Sequence, residues 1–162
     1  ATKAIRNDEN VSKRVDAPNP IKDSNDGTTK HSEQIRALVV DDNLVNQKLS
    51  SKFLQKLGCE ILVVDNGQKA VTQVMESNFD IVFMDCQMPV MDGIEATVWI
   101  RNQERERGLT RSPILALTAD AEEQTYKRII AADMDDRIVK PFDPTALRTL
   151  IERIASKMSV SP

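Results

Sequence analysis

Cysteine is nearly absent from this chain, and so are a basic excess, a long apolar run and histidine. Cys59 and Cys86 belong to no CxxC pair and follow no secretory signal with an apolar core, which argues against a disulfide framework and fits a reducing cytoplasm. The 22 Lys and Arg residues face 25 Asp and Glu residues with the signs well mixed. The net charge of -3 leaves no cationic footprint for nucleic acid. No stretch approaches the roughly 18 consecutive apolar residues that would cross a bilayer, so direct membrane contact is not expected of this segment. His31, the one histidine, sits in a polar stretch and reads as solvated. What is present is 162 residues at 40% hydrophobic content, enough for one core of ordinary size and an extra segment.

Residues 1–34 supply the extra segment. They are rich in Asn, Asp, Ser, Thr and Lys, carry Pro18, Pro20 and Gly27, and hold no hydrophobic period, which predicts a flexible polar linker. From Arg36 onward, short apolar runs alternate with helical periods. The runs are Ala37 to Val40, Ile61 to Val64, Ile81 to Met84, Pro113 to Thr118 and Arg137 to Lys140. The helical stretches are Leu44 to Leu57, closed by Gly58, then Gln68 to Ser77, Ile94 to about Arg107, Glu122 to Ala132 and Thr145 to Lys157. Five strands alternating with five helices over short loops predict an α/β domain at 35–158, a parallel sheet covered on both faces by right-handed crossovers. A short tail, 159–162, is expected to carry no output domain.

In such a sheet, ligands sit beyond the carboxyl ends of the strands, where strand order reverses. Asp41 and Asp42 end the first run, Asp85 the third, Thr118 the fourth and Lys140 the fifth, so all five should share one edge. Three crowded carboxylates raise one another's pKa unless a cation neutralises them, which points to a hard, oxygen-liganded ion such as Mg²⁺. Lys140 offers a mobile cation for a phosphoryl oxygen, and Thr118 a hydroxyl donor. Taken singly, Asp41 and Asp42 are more often a turn or helix cap, Thr118 a strand-end hydroxyl and Lys140-Pro141 a turn. Their joint placement shifts the reading to phosphoryl chemistry with Asp85 as a carboxylate nucleophile. Met84, Met88 and Met91 read as packing. Cys86 reads as a small side chain before a redox sensor.

Four segments carry a resemblance: Val39 to Asn43, Met84 to Gly93, Leu117 to Ala119 and Val139 to Phe142. In this order and at these element ends they resemble the signature segments of the response-regulator receiver family. The wording of Asn43 to Gln47 and of Met88 to Thr97 is similar to C-terminal receivers of hybrid sensor histidine kinases. The resemblance implies a flavodoxin-like (βα)5 doubly wound sheet of strand order 2-1-3-4-5. It also implies that Asp85 accepts a phosphoryl group from the phosphohistidine of a histidine kinase. Mg²⁺ or Mn²⁺ would be held by Asp42, Asp85 and the backbone carbonyl of Gln87, with Asp41 acting through a bound water. Lys140 would pair with the phosphoryl oxygens, Thr118 would shift inward with Ala119 and the loop behind it, and Pro141 would hold a cis peptide that aims the lysine. A histidine phosphotransfer protein would be the next acceptor, and the parent, anchored in the inner membrane, would keep this domain cytoplasmic. Because His31 stands alone in the linker, donor and acceptor histidines must lie on other domains. Dimerisation stays open.

Two positions depart from the family pattern, and two more stand close to site residues. Arg137 stands three residues before Lys140, where many receivers carry Tyr or Phe; an arginine does not bury without a partner. Asp133 stands where the family has Gly, at a place suited to a left-handed backbone. Gln87 and Asp120, each two residues past a site residue, flank the path of an attacking water and are candidates to tune the phosphoryl lifetime. The alternatives are a stand-alone regulator, a Mg²⁺-dependent phosphatase with an Asp nucleophile, a flavin-binding flavodoxin-like protein and a receiver that only binds. The phosphatase needs an acid where Gln87 stands. A flavodoxin needs a Gly- and hydroxyl-rich loop where Asp42 to Val45 would repel phosphate. The binding-only reading has no need of all five site residues.

Overall fold

The computed structural model describes residues 34–160, with side chains to residue 156. The linker expectation therefore lies, apart from Gln34, outside the described residues. Strands β1 (Arg36–Val40), β2 (Glu60–Val64), β3 (Ile81–Asp85), β4 (Ile114–Thr118) and β5 (Asp136–Val139) form one sheet of order β2-β1-β3-β4-β5. Every neighbouring pair is parallel, with Val40 opposite both Val64 and Met84 and Thr118 opposite Val139. Helices α1 (Leu44–Lys56), α2 (Gly67–Glu76), α3 (Gly93–Arg107), α4 (Glu123–Ala131) and α5 (Pro144–Val160) connect and close the strands.

The central strands β3 and β4 are buried at every position because helices cover both of their faces. Their side chains divide by parity into two cores. Leu38, Val40, Val82, Met84, Ile114 and Ala116 face one way, with Ala70, Val71 and Val74 of α2, Ala96 and Ile100 of α3 and Ile129 of α4. Ala37, Val39, Ile81, Phe83, Leu115 and Leu117 face the other way, with Leu54 of α1 and Leu147 and Ile151 of α5.

Helix ends follow local chemistry. Asn43 caps α1, its side chain accepting from the amides of Val45 and Asn46, and Asp92 caps α3 by accepting from Glu95. At the end of α4, Asp133 takes φ 71°. Its N–H donates to Ile130 O and that of Met134 to Ile129 O, a Schellman closure with Met134 and Ile129 both buried. Glycine is favoured there, and the aspartate is held instead by Arg111, which donates to its carboxylate at 2.9 and 3.2 Å, and by Arg101 Nε, which donates to its carbonyl at 2.8 Å. Helix α5 runs two residues past the expected boundary at 158. Among the described residues no helix is long and apolar enough to cross a membrane.

Candidate functional site

The turn that follows β1 leaves Asp41 fully buried and Asp42 exposed. Asp41 Oδ1 accepts from the Asn43 amide at 2.9 Å, and its main-chain carbonyl accepts from Gln47 Nε2 at 2.6 Å, so the start of α1 holds both the carboxylate and the backbone of this residue. Asp85, also buried, ends β3, and its Oδ1 accepts from the Gln87 amide at 3.2 Å. From the end of β5, Lys140 reaches across the edge. Its Nζ lies 3.3 Å from Asp41 Oδ2 and 3.5 Å from Asp85 Oδ2. The bond from Lys140 to Pro141 is cis.

Carboxylate oxygens of Asp41, Asp42 and Asp85 lie within 4.8 Å of one another. Burial raises the Asp85 carboxyl above its ordinary range and the charge of Asp41 adds to the rise, while the Gln87 amide and Lys140 oppose it. One lysine faces three acids. Such an oxygen-only donor set, short of positive charge and partly open at Asp42, fits a divalent hard cation. The approach of α3 is equally specific: a Cβ on Gly93 would run into the Asp85 carbonyl oxygen, so the chain cannot turn here with a larger residue.

Thr118 is buried at the end of β4, with its hydroxyl turned to the loop. It donates to Asp120 O at 3.2 Å and accepts from the Asp120 amide at 3.0 Å. Ala119 and the Gln87 side chain are exposed at the rim. Asp120 is half-buried, with its carboxyl lowered chiefly by the Thr125 hydroxyl, then by the Glu122 amide. Arg137 lies apart from the carboxylates, half-buried, with its guanidinium 4.5 Å from the centre of the Tyr126 ring and 3.4 Å from the Glu122 carbonyl. These are the partners an arginine at this place requires. Cys86 is buried beside the site, and burial pushes its thiol up to about 11, so at neutral pH it is a protonated packing group and not a reactive thiolate. Met84 lies in the core and Met88 and Met91 pack against it.

Three features escaped the sequence. Gln47 on Asp41 and Thr125 on Asp120 are contacts between ordinary polar residues, with no spacing rule to expose them. The third is a charge cluster at the opposite end of the sheet, where buried Arg101 bonds Glu104 at 2.8 Å and Asp135 at 3.1 Å. Arginines of amphipathic helices usually face water, so a buried one carries no sequence signal.

A family model described as the response regulator receiver domain matches residues 37–152. The probable histidine kinase 3 of Oryza sativa subsp. japonica is 41% identical over 144 residues, covering 78% of this chain and 14% of that protein. The chain thus spans only a small part of this curated relative. The receiver domain of the sensor histidine kinase PA1611 from Pseudomonas aeruginosa PAO1, solved with a magnesium ion coordinated in its active-site cleft, matches with a TM-score of 0.68 and 36% identity, over 76% of this chain and 98% of that one. The co-crystal structure of the Saccharomyces cerevisiae histidine phosphotransfer protein Ypd1 with the receiver domain of its downstream response regulator Ssk1 gives a TM-score of 0.73 and 30% identity, over 79% of this chain and 93% of that one.

Proposed function

The chain belongs to the response regulator receiver domain family and is a receiver of histidine-kinase phosphorelay signalling, and from that premise we propose that Asp85 is its phosphoacceptor, within a domain spanning 35–158. The observation that carries the assignment is the meeting of Asp85, Asp41 and Lys140 at one sheet edge, with Lys140 Nζ 3.5 Å from Asp85 Oδ2. An Asp85 oxygen attacks the phosphorus of a phosphohistidine. The P–N bond breaks, its electron pair stays with the imidazole, which takes a proton from solvent, and an acyl phosphate forms on Asp85. Water later opens it to inorganic phosphate and the free carboxylate. Lys140 moves its charge from the carboxylates to the phosphoryl oxygens, and Thr118, with Ala119 beside it, donates its hydroxyl to the same group.

Asp42 and Asp85, the Gln87 carbonyl and Asp41 through a water would hold Mg²⁺, with Mn²⁺ as a substitute. When bound, the ion supplies neutralisation of the charge on the transferring group. Gln87 and Asp120, two residues past Asp85 and Thr118, are the positions we assign to setting the lifetime of the acyl phosphate, so exchanging either changes the dephosphorylation rate. Arg137 takes the place of the family's aromatic residue as a surface group stacked on α4. Pro141 completes the lysine loop.

The donor is the phosphohistidine of a kinase. The acceptor is a histidine phosphotransfer protein that docks on α1, whose Leu44, Val45 and Leu49 are 67%, 71% and 50% exposed. Likeness to receivers of hybrid kinases supports a parent of that kind over a stand-alone regulator, with the domain in the cytoplasm, in keeping with two free cysteines. The test is label transfer from a phosphohistidine donor and from acetyl phosphate with Mg²⁺. Wild type takes up label and Asp85→Asn takes up none; label on Asp85→Asn would move the nucleophile elsewhere.

A further inference from the structure

The hydroxyl of Thr118 is engaged away from the carboxylates, and the group that engages it is tied to a helix. Asp120 accepts and donates to Thr118 through its main chain, at 3.2 and 3.0 Å. Its carboxylate is committed on the other side: Oδ1 accepts from the Glu122 amide at 2.7 Å and Oδ2 from the Thr125 hydroxyl at 2.6 Å. Glu122, at the N-cap of α4, makes no side-chain cap of its own, and Asp120 braces the start of the helix from two residues upstream, at the Glu122 amide and the Thr125 hydroxyl. The same first turn carries Tyr126 under the Arg137 guanidinium. A cavity of 150 Å³ lies beside this chain of bonds, lined among others by Cys86, Thr118, Asp120 and Thr125, and gives the loop room to move without displacing a packed side chain.

We propose that Asp120 and Thr125 are positioning residues that hold Thr118 in its outward engagement, so that Thr118 reaches the phosphoryl group only when the Asp120 loop and the first turn of α4 let go together. The inference rests on Asp85 as phosphoacceptor. Thr118 cannot give its proton to Asp120 O and to a phosphoryl oxygen at once. Its turn inward leaves the Asp120 amide without its acceptor and pulls on the cap. Breaking the far end of the chain therefore raises the share of molecules with Thr118 free, and with it the rate of phosphorylation.

Thr125→Val keeps the shape and removes the hydroxyl. With acetyl phosphate and saturating Mg²⁺ it should raise the phosphorylation rate of Asp85 about fivefold, the weight of one net hydrogen bond, with Mg²⁺ affinity unchanged. Thr125→Ser should restore the wild-type rate. In a Thr118→Ala background, Thr125→Val should have no effect, because no hydroxyl remains to be released. A general loosening of α4 would instead give the same ratio in both backgrounds, and that result, or no change of rate at all, overturns the proposal. Hydrogen exchange of the Glu122 to Tyr126 amides in the unphosphorylated protein reads the same coupling independently. Thr118→Ala and Thr125→Val should each speed it and together do no more than the larger of the two; additive effects overturn the proposal. If wild type gains no phosphoryl mass, the reading of Asp85 falls and the exchange result alone decides the positioning role.

Discussion

Asp133 shows how one residue departs from a family preference without loss. At φ 71° a non-glycine residue is strained by about 1–2 kcal/mol, less for aspartate, while an exposed ion pair returns about 0.2–1 kcal/mol. The two nearly cancel. Asp133→Gly should therefore change stability by no more than about 0.5 kcal/mol at pH 7, because lost pairing is offset by relief of strain, whereas Asp133→Ala keeps the strain and loses the pair, at about 1–2 kcal/mol. Urea unfolding of the three proteins measures this. The pH dependence follows from the lowered carboxyl of Asp133, caused first by the Arg111 guanidinium. An acid with a depressed folded pKa stabilises above its unfolded pKa, about 3.9 for aspartate, and that stability is lost as pH falls through the folded value. Asp133→Gly should flatten the stability curve below about pH 4. The departure itself was legible in the sequence, because glycine is the residue a left-handed position favours. Its compensation was not, since Arg111 and Arg101 come from a distant helix and loop.

At the scale of elements, all five strands and all five helices lie where apolar runs and helical periods put them, and their order in the sheet follows from the family likeness. Periodicity works here because the strands are covered on both faces and Gly58 marks the end of the first helix explicitly. It fails to tell which apolar residues are inside. Helix α1 has apolar spacing along its length, yet Phe53, Leu54 and Leu57 pack on the core while Leu44, Val45 and Leu49 stay in water. The spacing of a docking face and of a core face is the same. Val45→Asp should thus leave stability within about 0.5 kcal/mol of wild type and leave labelling by acetyl phosphate unchanged. It should weaken binding to a histidine phosphotransfer partner by about tenfold or more, the scale of an interface anchor. Calorimetric titration with the partner decides it: unchanged affinity would take α1 out of the interface.

The whole molecule is arranged around a group that opposes its folding. Asp85 is buried next to Asp41, and its carboxyl is raised, first by burial, so the folded state holds its proton to higher pH than the unfolded chain does. In that interval the native state binds more protons, and stability falls as pH rises from about 3.9 through the raised value and stays lower at neutral pH. The core strands on both sides of β3 carry this load. Asp85→Asn removes it, so without divalent metal the variant should melt above wild type at pH 7, and the gap should close as the solution is made more acidic. Mg²⁺ acts in the opposite sense, because it binds the native carboxylates and not the dispersed ones of the unfolded chain. At about 100 times its dissociation constant a ligand adds roughly 2.7 kcal/mol to the protein that binds it, so Mg²⁺ should raise the wild-type Tm by several degrees and that of Asp85→Asn by much less. Scanning calorimetry over Mg²⁺ concentration and pH tests both arms. A variant that melts below wild type without metal would show that Asp85 is not the strained carboxylate, and one that gains as much from Mg²⁺ would show that it is not a ligand; both together would mean that the sheet edge gathers its acids for some other use.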